Sequence, residues 1–84
     1  MIFLVEYDRE RGQLVTMRSF PDEEARSAGD ARLELELALR QNRIIREVVL
    51  LQAANEDDLR RTHRRYFANI AELTAGSANG AMKR

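Results

Sequence analysis

The stretch that most constrains the fold runs from residue 43 to residue 52, with the sequence RIIREVVLLQ. It is rich in β-branched residues, and neither of its alternating faces is wholly polar. This pattern predicts a strand covered on at least part of both faces, and therefore a central strand or a strand at an interface. A hairpin and a helix are expected before it, and a second helix after it.

Residues 2–7 and 13–20 are predicted to form the hairpin. The first segment carries apolar residues on both alternating faces, whereas the second is more polar, as is typical of an edge strand. Between them, residues 8–11 are all charged and Gly12 follows. Glycine supplies the positive φ that a tight turn needs, so this segment predicts an exposed turn.

The first helix is predicted to run from Pro21 to about Gln41, because residues 21–42 contain no β-branched residue and Pro suits a first helical turn. Asn42 is expected to end it in left-handed geometry. Leu35 and Leu39 share one side of this helix, and Leu33 and Leu37 lie about 160° away at about 100° per residue.

A helix that packs on one sheet needs only one buried stripe, so the second stripe requires another cover. We expect Leu33 and Leu37 to contact a partner chain, which in a two-fold dimer presents the same stripe in return. The alternative is that the chain's own second helix covers these two leucines. A chain of this length buries only about 60% of its unfolded surface and usually needs disulfides, a metal or oligomerisation for stability. With no cysteine and one histidine, oligomerisation is the aid that remains.

The second helix is predicted to start at Asn55, a good N-cap residue, with Asp58 completing a weak capping box. Apolar residues at helical spacing extend it to about Leu73. Residues 1–73 then form a single domain, and the small and polar residues 74–84 are predicted to form a disordered tail.

The predicted fold class is α+β, with the element order ββαβα. The favoured arrangement is a small, mainly antiparallel three-stranded sheet in the order 2-1-3, with both helices on one face. The order 1-2-3, which contains a parallel pair, is the alternative.

Composition narrows the functional classes. The chain has no cysteine and one histidine, which excludes disulfides, thiolate metal sites and His-rich metal sites. We predict no cofactor and no metal, although carboxylates alone can still hold a hard cation. The apolar runs are too short for a membrane span, and no basic segment precedes the first of them, so a soluble cytoplasmic protein is expected.

The second helix carries four arginines that are candidates for a nucleic-acid contact: Arg60, Arg61, Arg64 and Arg65. The chain has 14 basic and 14 acidic residues, and such charge balance argues against nucleic-acid binding. Glu56 and Asp57 stand four residues before the first two arginines, in the orientation that favours helical ion pairs. The preferred interpretation is a solvated helical face.

His63 and Tyr66 are the candidates for a ligand contact. A general acid–base role for His63 requires a cleft and a carboxylate, for which Glu47 and Glu6 are candidates. A histidine on an apolar face is more often a packed, hydrogen-bonded residue, and the chain contains no recognised catalytic motif.

The sequence therefore predicts a small cytoplasmic interaction protein that forms a homo-oligomer, with a dimer favoured and no catalytic residues assigned. The alternative is a nucleic-acid-associated or regulatory protein that uses the Arg-rich helix. A small enzyme or ligand-binding protein with a site at the subunit interface ranks third.

Overall fold

A three-stranded antiparallel sheet with helices forms the part of the chain that the computed structural model describes, residues 1–67. In chain order the elements are β1 (Ile2–Asp8), β2 (Gln13–Phe20), α1 (Ala25–Gln41), β3 (Glu47–Gln52) and α2 (Glu56–Thr62). Short 3-10 turns precede α1 (Asp22–Glu24) and follow α2 (Arg64–Tyr66). The predicted α+β class and ββαβα order are confirmed.

The strands lie in the order β2-β1-β3, and β1 pairs antiparallel with both neighbours. The favoured 2-1-3 order is therefore confirmed, and the alternative with a parallel pair is not formed. Of the two alternatives for residues 43–52, a central strand or a strand at an interface, the first is wrong for the described residues, and the second stays a prediction. Only Glu47–Gln52 is strand, and it lies at the sheet edge. The apolar pattern of β3 arises because side chains pack on both of its faces. Packing on the faces of a strand does not indicate whether other strands flank it on both sides.

The two helices lie on opposite faces of the sheet, which corrects the expectation that both share one face. Ile2 and Leu4 pack in a cluster with Ala28 of α1. Phe3 and Val5 point the other way and pack in a second cluster with Leu59 of α2. Because β1 is apolar on both faces, one helical layer cannot bury both sets of side chains.

The ends of α1 are set by local geometry. Pro21 precedes the 3-10 turn that leads into the helix, as its fixed φ allows. At the other end, the Asn42 side-chain amide donates a hydrogen bond to the Ala38 carbonyl at 2.8 Å. Asn42 has φ −92°, and the left-handed residue is Arg43 at φ 57°. The chain therefore reverses direction one residue later than predicted.

The start of α2 is as predicted, and its end is not. The Asn55 side-chain oxygen accepts a hydrogen bond from the Asp58 backbone N–H at 2.8 Å. The helix ends at Thr62, after which the 3-10 turn returns Tyr66 and Phe67 to the core. The predicted continuation to Leu73 and the predicted tail over residues 74–84 lie outside the described residues.

Replacing Asn55 with alanine is expected to lower the free energy of unfolding by about 0.5–2 kcal/mol, because the Asp58 N–H loses its acceptor. Asn55→Asp keeps an acceptor and serves as the control. Chemical denaturation of both variants measures the effect. An unchanged midpoint and slope for Asn55→Ala would show that this cap contributes nothing to stability.

Candidate functional site

The outer face of α1 exposes the two leucines that the sequence assigns to a partner. Leu33 is 56% exposed and Leu37 is 46% exposed, whereas Leu35 is half-buried against the sheet. The intrachain alternative does not hold for residues 1–67, because α2 lies on the opposite face of the sheet. We call this surface the leucine stripe (Leu33 and Leu37).

Two charged residues bracket the leucine stripe. Asp30 lies one helical turn before Leu33, and Arg40 lies one turn after Leu37. Both side chains are exposed, and neither forms an ion pair with another residue of the described range. The surface therefore presents an acidic end, an apolar middle and a basic end.

The α2 arginines are largely matched by carboxylates of the same chain. The Arg60 guanidinium lies 2.9 Å from a Glu56 carboxylate oxygen, as predicted. Arg61 pairs with Asp58, one residue from the expected Asp57. Such local pairing leaves less net positive charge for a phosphate backbone.

Two of the predicted arginines follow α2 and belong to the 3-10 turn. Arg65 donates to a Glu47 carboxylate oxygen at 2.7 Å, and its guanidinium lies 4.6 Å from the centre of the Tyr66 ring. Arg64 is exposed and has no ion pair within residues 1–67. The four arginines thus lie in two different elements and do not form one continuous helical face.

Glu47 is the centre of a polar cluster on the α2 side of the sheet. The Tyr66 hydroxyl donates to its carboxylate at 2.5 Å, and the Tyr7 ring meets the Tyr66 ring edge-on with centroids 5.3 Å apart. Burial, followed by the hydrogen bond and the negative charge of Glu47, raises the pKa of Tyr66 above its ordinary value, whereas Arg65 lowers it. The phenol is therefore held neutral as a hydrogen-bond donor.

His63 and Tyr66 do not share a ligand site in the described structure. The Nδ1 atom of His63 lies 2.9 Å from the Thr62 hydroxyl, and its backbone N–H bonds the Leu59 carbonyl at the end of α2. Tyr66 is only 8% exposed, and its hydroxyl is held by Glu47. His63 therefore ends α2, and Tyr66 belongs to the core.

Glu6 is the one charged residue among the buried residues of the described range, at 5% exposure. Its carboxylate accepts from the Thr16 hydroxyl at 3.1 Å and from the Arg46 guanidinium at 3.3 Å. Arg46 also lies 3.8 Å from an Asp8 carboxylate oxygen. Glu6 is thus occupied by Arg46 and not by His63. Two features of the sequence could have indicated this ion pair. Glu6 is a lone carboxylate within an apolar strand, and Arg46 stands next to a second apolar run.

A cleft of about 410 Å³ that the sequence did not predict lies between the end of α1 and the segment before β3. Its lining combines apolar side chains of Leu39, Ile44 and Val48 with the arginines Arg40 and Arg43. Ile44 and its neighbour Ile45 were assigned to the strand from their β-branched character, which hid their exposed position.

Within residues 1–67, no group of three or more His, Cys, Asp or Glu side chains is arranged to hold a metal ion. No helix in this part of the chain is long and apolar enough to cross a membrane. Comparison of the sequence and the structure finds no matching protein-family model, no matching curated protein and no matching solved structure. Function is therefore inferred from the surfaces of the chain itself.

We expect Tyr66→Phe to lower the free energy of unfolding at neutral pH by about 1.5–3 kcal/mol, because the Glu47 carboxylate loses the hydrogen bond that the Tyr66 hydroxyl donates. The native pKa of Tyr66 is raised above the unfolded value of about 10, so the neutral phenol favours the fold. Its contribution is present below about pH 10 and is lost as the pH rises through the native pKa.

The pH dependence of thermal unfolding tests this assignment. Native protein should lose stability above about pH 10 more steeply than Tyr66→Phe, which has no phenol to ionise. Tyr7→Phe is the control, since its hydroxyl does not contact Glu47 in the described hydrogen bonds. Parallel profiles for native protein and Tyr66→Phe would contradict the role assigned to the phenol.

Nucleic-acid retention is expected to be weak at about 150 mM salt, because Arg60, Arg61 and Arg65 are already bonded to carboxylates. Replacing Arg60 and Arg61 together with glutamine should leave this weak retention unchanged. Filter binding to DNA and RNA over a salt series measures it. Tight retention that falls steeply with rising salt would favour the nucleic-acid-associated function instead.

Proposed function

We propose that this protein is a small interaction protein that works as a homo-oligomer, with a dimer built on the leucine stripe. The exposure of Leu33 and Leu37 carries the proposal. Full burial of a leucine contributes about 1.5–3 kcal/mol, and a dimer covers four of them. A domain of this size gains a large fraction of its stability from such a contact.

The surface is complementary to a second copy of itself. When two α1 helices pack antiparallel about a two-fold axis near Leu35, Leu33 of one copy faces the partner's Leu37. The same axis places Asp30 opposite the partner's Arg40. Opposite charges therefore meet at both ends of the apolar middle, which favours a second copy over an unrelated apolar partner.

The other two functions that the sequence allows have weaker support. The carboxylates that bond Arg60, Arg61 and Arg65 reduce the charge available to a phosphate backbone. An enzyme would need a residue pair that performs chemistry, and His63 contacts Thr62 rather than a carboxylate. The cytoplasmic location expected from the sequence remains part of this proposal.

The double variant Leu33→Glu/Leu37→Glu tests the stripe, because it places like charges opposite each other in the antiparallel dimer. The dissociation constant of self-association is expected to rise at least about 100-fold, while circular dichroism shows an intact fold. Sedimentation velocity measures the mass. Val15→Glu is the control, since Val15 is also exposed and apolar but lies on β2.

A charge swap tests the direction of packing. Asp30→Arg and Arg40→Asp should each weaken the dimer, and the combined swap should restore it, because opposite charges then face each other again. If the native protein sediments as a monomer at high micromolar concentration, the proposal is wrong. Equal masses for native protein and the double glutamate variant would also contradict it.

A further inference from the structure

The outer edge of β3 carries backbone hydrogen-bonding groups that no strand of residues 1–67 satisfies. The pairing with β1 fixes which groups these are. The Met1 amino group donates to the Ala53 carbonyl at 2.9 Å, and the Ala53 N–H donates to the Met1 carbonyl at 3.1 Å. Met1 and Ala53 thus exchange both bonds, so they form a hydrogen-bonded pair of the antiparallel ladder.

The alternation of the ladder then assigns every residue of β3. Odd-numbered residues such as Val49 and Leu51 direct their N–H and C=O groups toward β1, where they face Val5 and Phe3. The residues that direct these groups outward are the even-numbered ones: Val48, Leu50 and Gln52. We call these groups the open edge (Val48, Leu50 and Gln52).

The open edge lacks the features that usually block strand addition. β3 contains no Pro and no Lys, and its one charged residue, Glu47, is bonded by Tyr66 and Arg65. The opposite edge strand, β2, is different, because it exposes Thr16 and Arg18. An apolar open strand of this kind is a template for pairing with another strand.

The geometry points to antiparallel pairing of β3 with β3 of a second copy, which joins two sheets into one of six strands. A two-fold axis normal to the sheet and midway between Leu50 and the partner's Leu50 brings the open-edge residues of both copies into hydrogen-bonded pairs. Leu50 faces the partner's Leu50, and Val48 faces the partner's Gln52. The outward N–H and C=O groups of all three residues are then paired, which gives six backbone hydrogen bonds between the two copies.

The side chains of the odd-numbered residues agree with this register. On the face covered by α2, Val49 lies opposite the partner's Leu51, an apolar pair. Glu47 falls opposite the partner's Ala53, so no like charges meet. Ile45, which is 94% exposed directly before β3, is brought beside the partner's residue 55. The pairing rests on the proposed function only in requiring self-association, since it uses a surface separate from the leucine stripe, and copies that engage both surfaces assemble beyond a dimer.

Backbone amide hydrogen exchange of the full chain tests the pairing residue by residue. The amides of Val48, Leu50 and Gln52 should be protected at high micromolar concentration and should lose protection on dilution. Those of Val49 and Leu51 serve as internal controls, because they face β1 and stay protected at both concentrations. Fast exchange of the open-edge amides at high concentration would overturn the pairing. Protection that is independent of concentration would also overturn it, since a segment of the same chain would then cover the edge.

A substitution at Gln52 provides the second test. Gln52 is exposed, and its N–H points away from β1, so Gln52→Pro removes a donor of the open edge while keeping the intrachain ladder. The dissociation constant of the pair should rise about tenfold or more, because two of six hydrogen bonds are lost. Gln52→Ala keeps the N–H and should match the native protein. Equal association of the proline and alanine variants would overturn the pairing.

The two surfaces are separated by using both sets of variants. One outcome is that the double glutamate variant no longer associates and that the open-edge amides of the native protein exchange fast at every concentration. This outcome overturns the β3 pairing and supports the leucine stripe as the interface. Concentration-dependent protection of these amides in the double glutamate variant supports the β3 pairing even if the stripe contributes nothing. A native protein that is monomeric at every concentration overturns both.

Discussion

The burial of β1 on both of its faces is the constraint on which the rest of the structure depends. Residues 2–6 are all buried, and β1 also has a hydrogen-bonded strand on each side. A strand enclosed in this way needs two covering layers. α1 supplies one layer through Ala28, and α2 supplies the other through Leu59. With only three strands and two helices available, each element touches β1 or covers it.

Two carboxylates fix the chain at one end of the sheet. Glu6, on the α1 side, holds Arg46 in the segment that leads into β3. Glu47, on the α2 side, holds Arg65 and Tyr66 in the turn that follows α2. Each carboxylate is buried or half-buried and accepts at least two hydrogen bonds, so its desolvation is offset. These polar contacts give Arg46 and Arg65 structural roles.

The same architecture leaves two apolar features without cover from residues 1–67. A three-stranded sheet has two edges, and the β3 edge is the more apolar one. A helix on one face of a sheet has an outer side, and here that side carries Leu33 and Leu37. Contact of either feature with a second copy loses little conformational entropy, because the helix and the strand are already ordered by packing on β1.

The sequence by itself determined the local elements. Gly12 at φ 63°, the Asn55 cap and the division of α1 into two leucine stripes follow from steric limits, hydrogen bonds over a few residues and helical periodicity. The sequence favoured the observed strand order, since the hairpin and the helical crossover leave few arrangements, but only the structure excluded the order 1-2-3. The tertiary structure decided the rest: which face each helix covers, that β3 is an edge, and that Glu6 meets Arg46, 40 residues away. Alternating apolar residues report that a face is buried but not what buries it, and contacts between distant residues are set only when the whole chain packs.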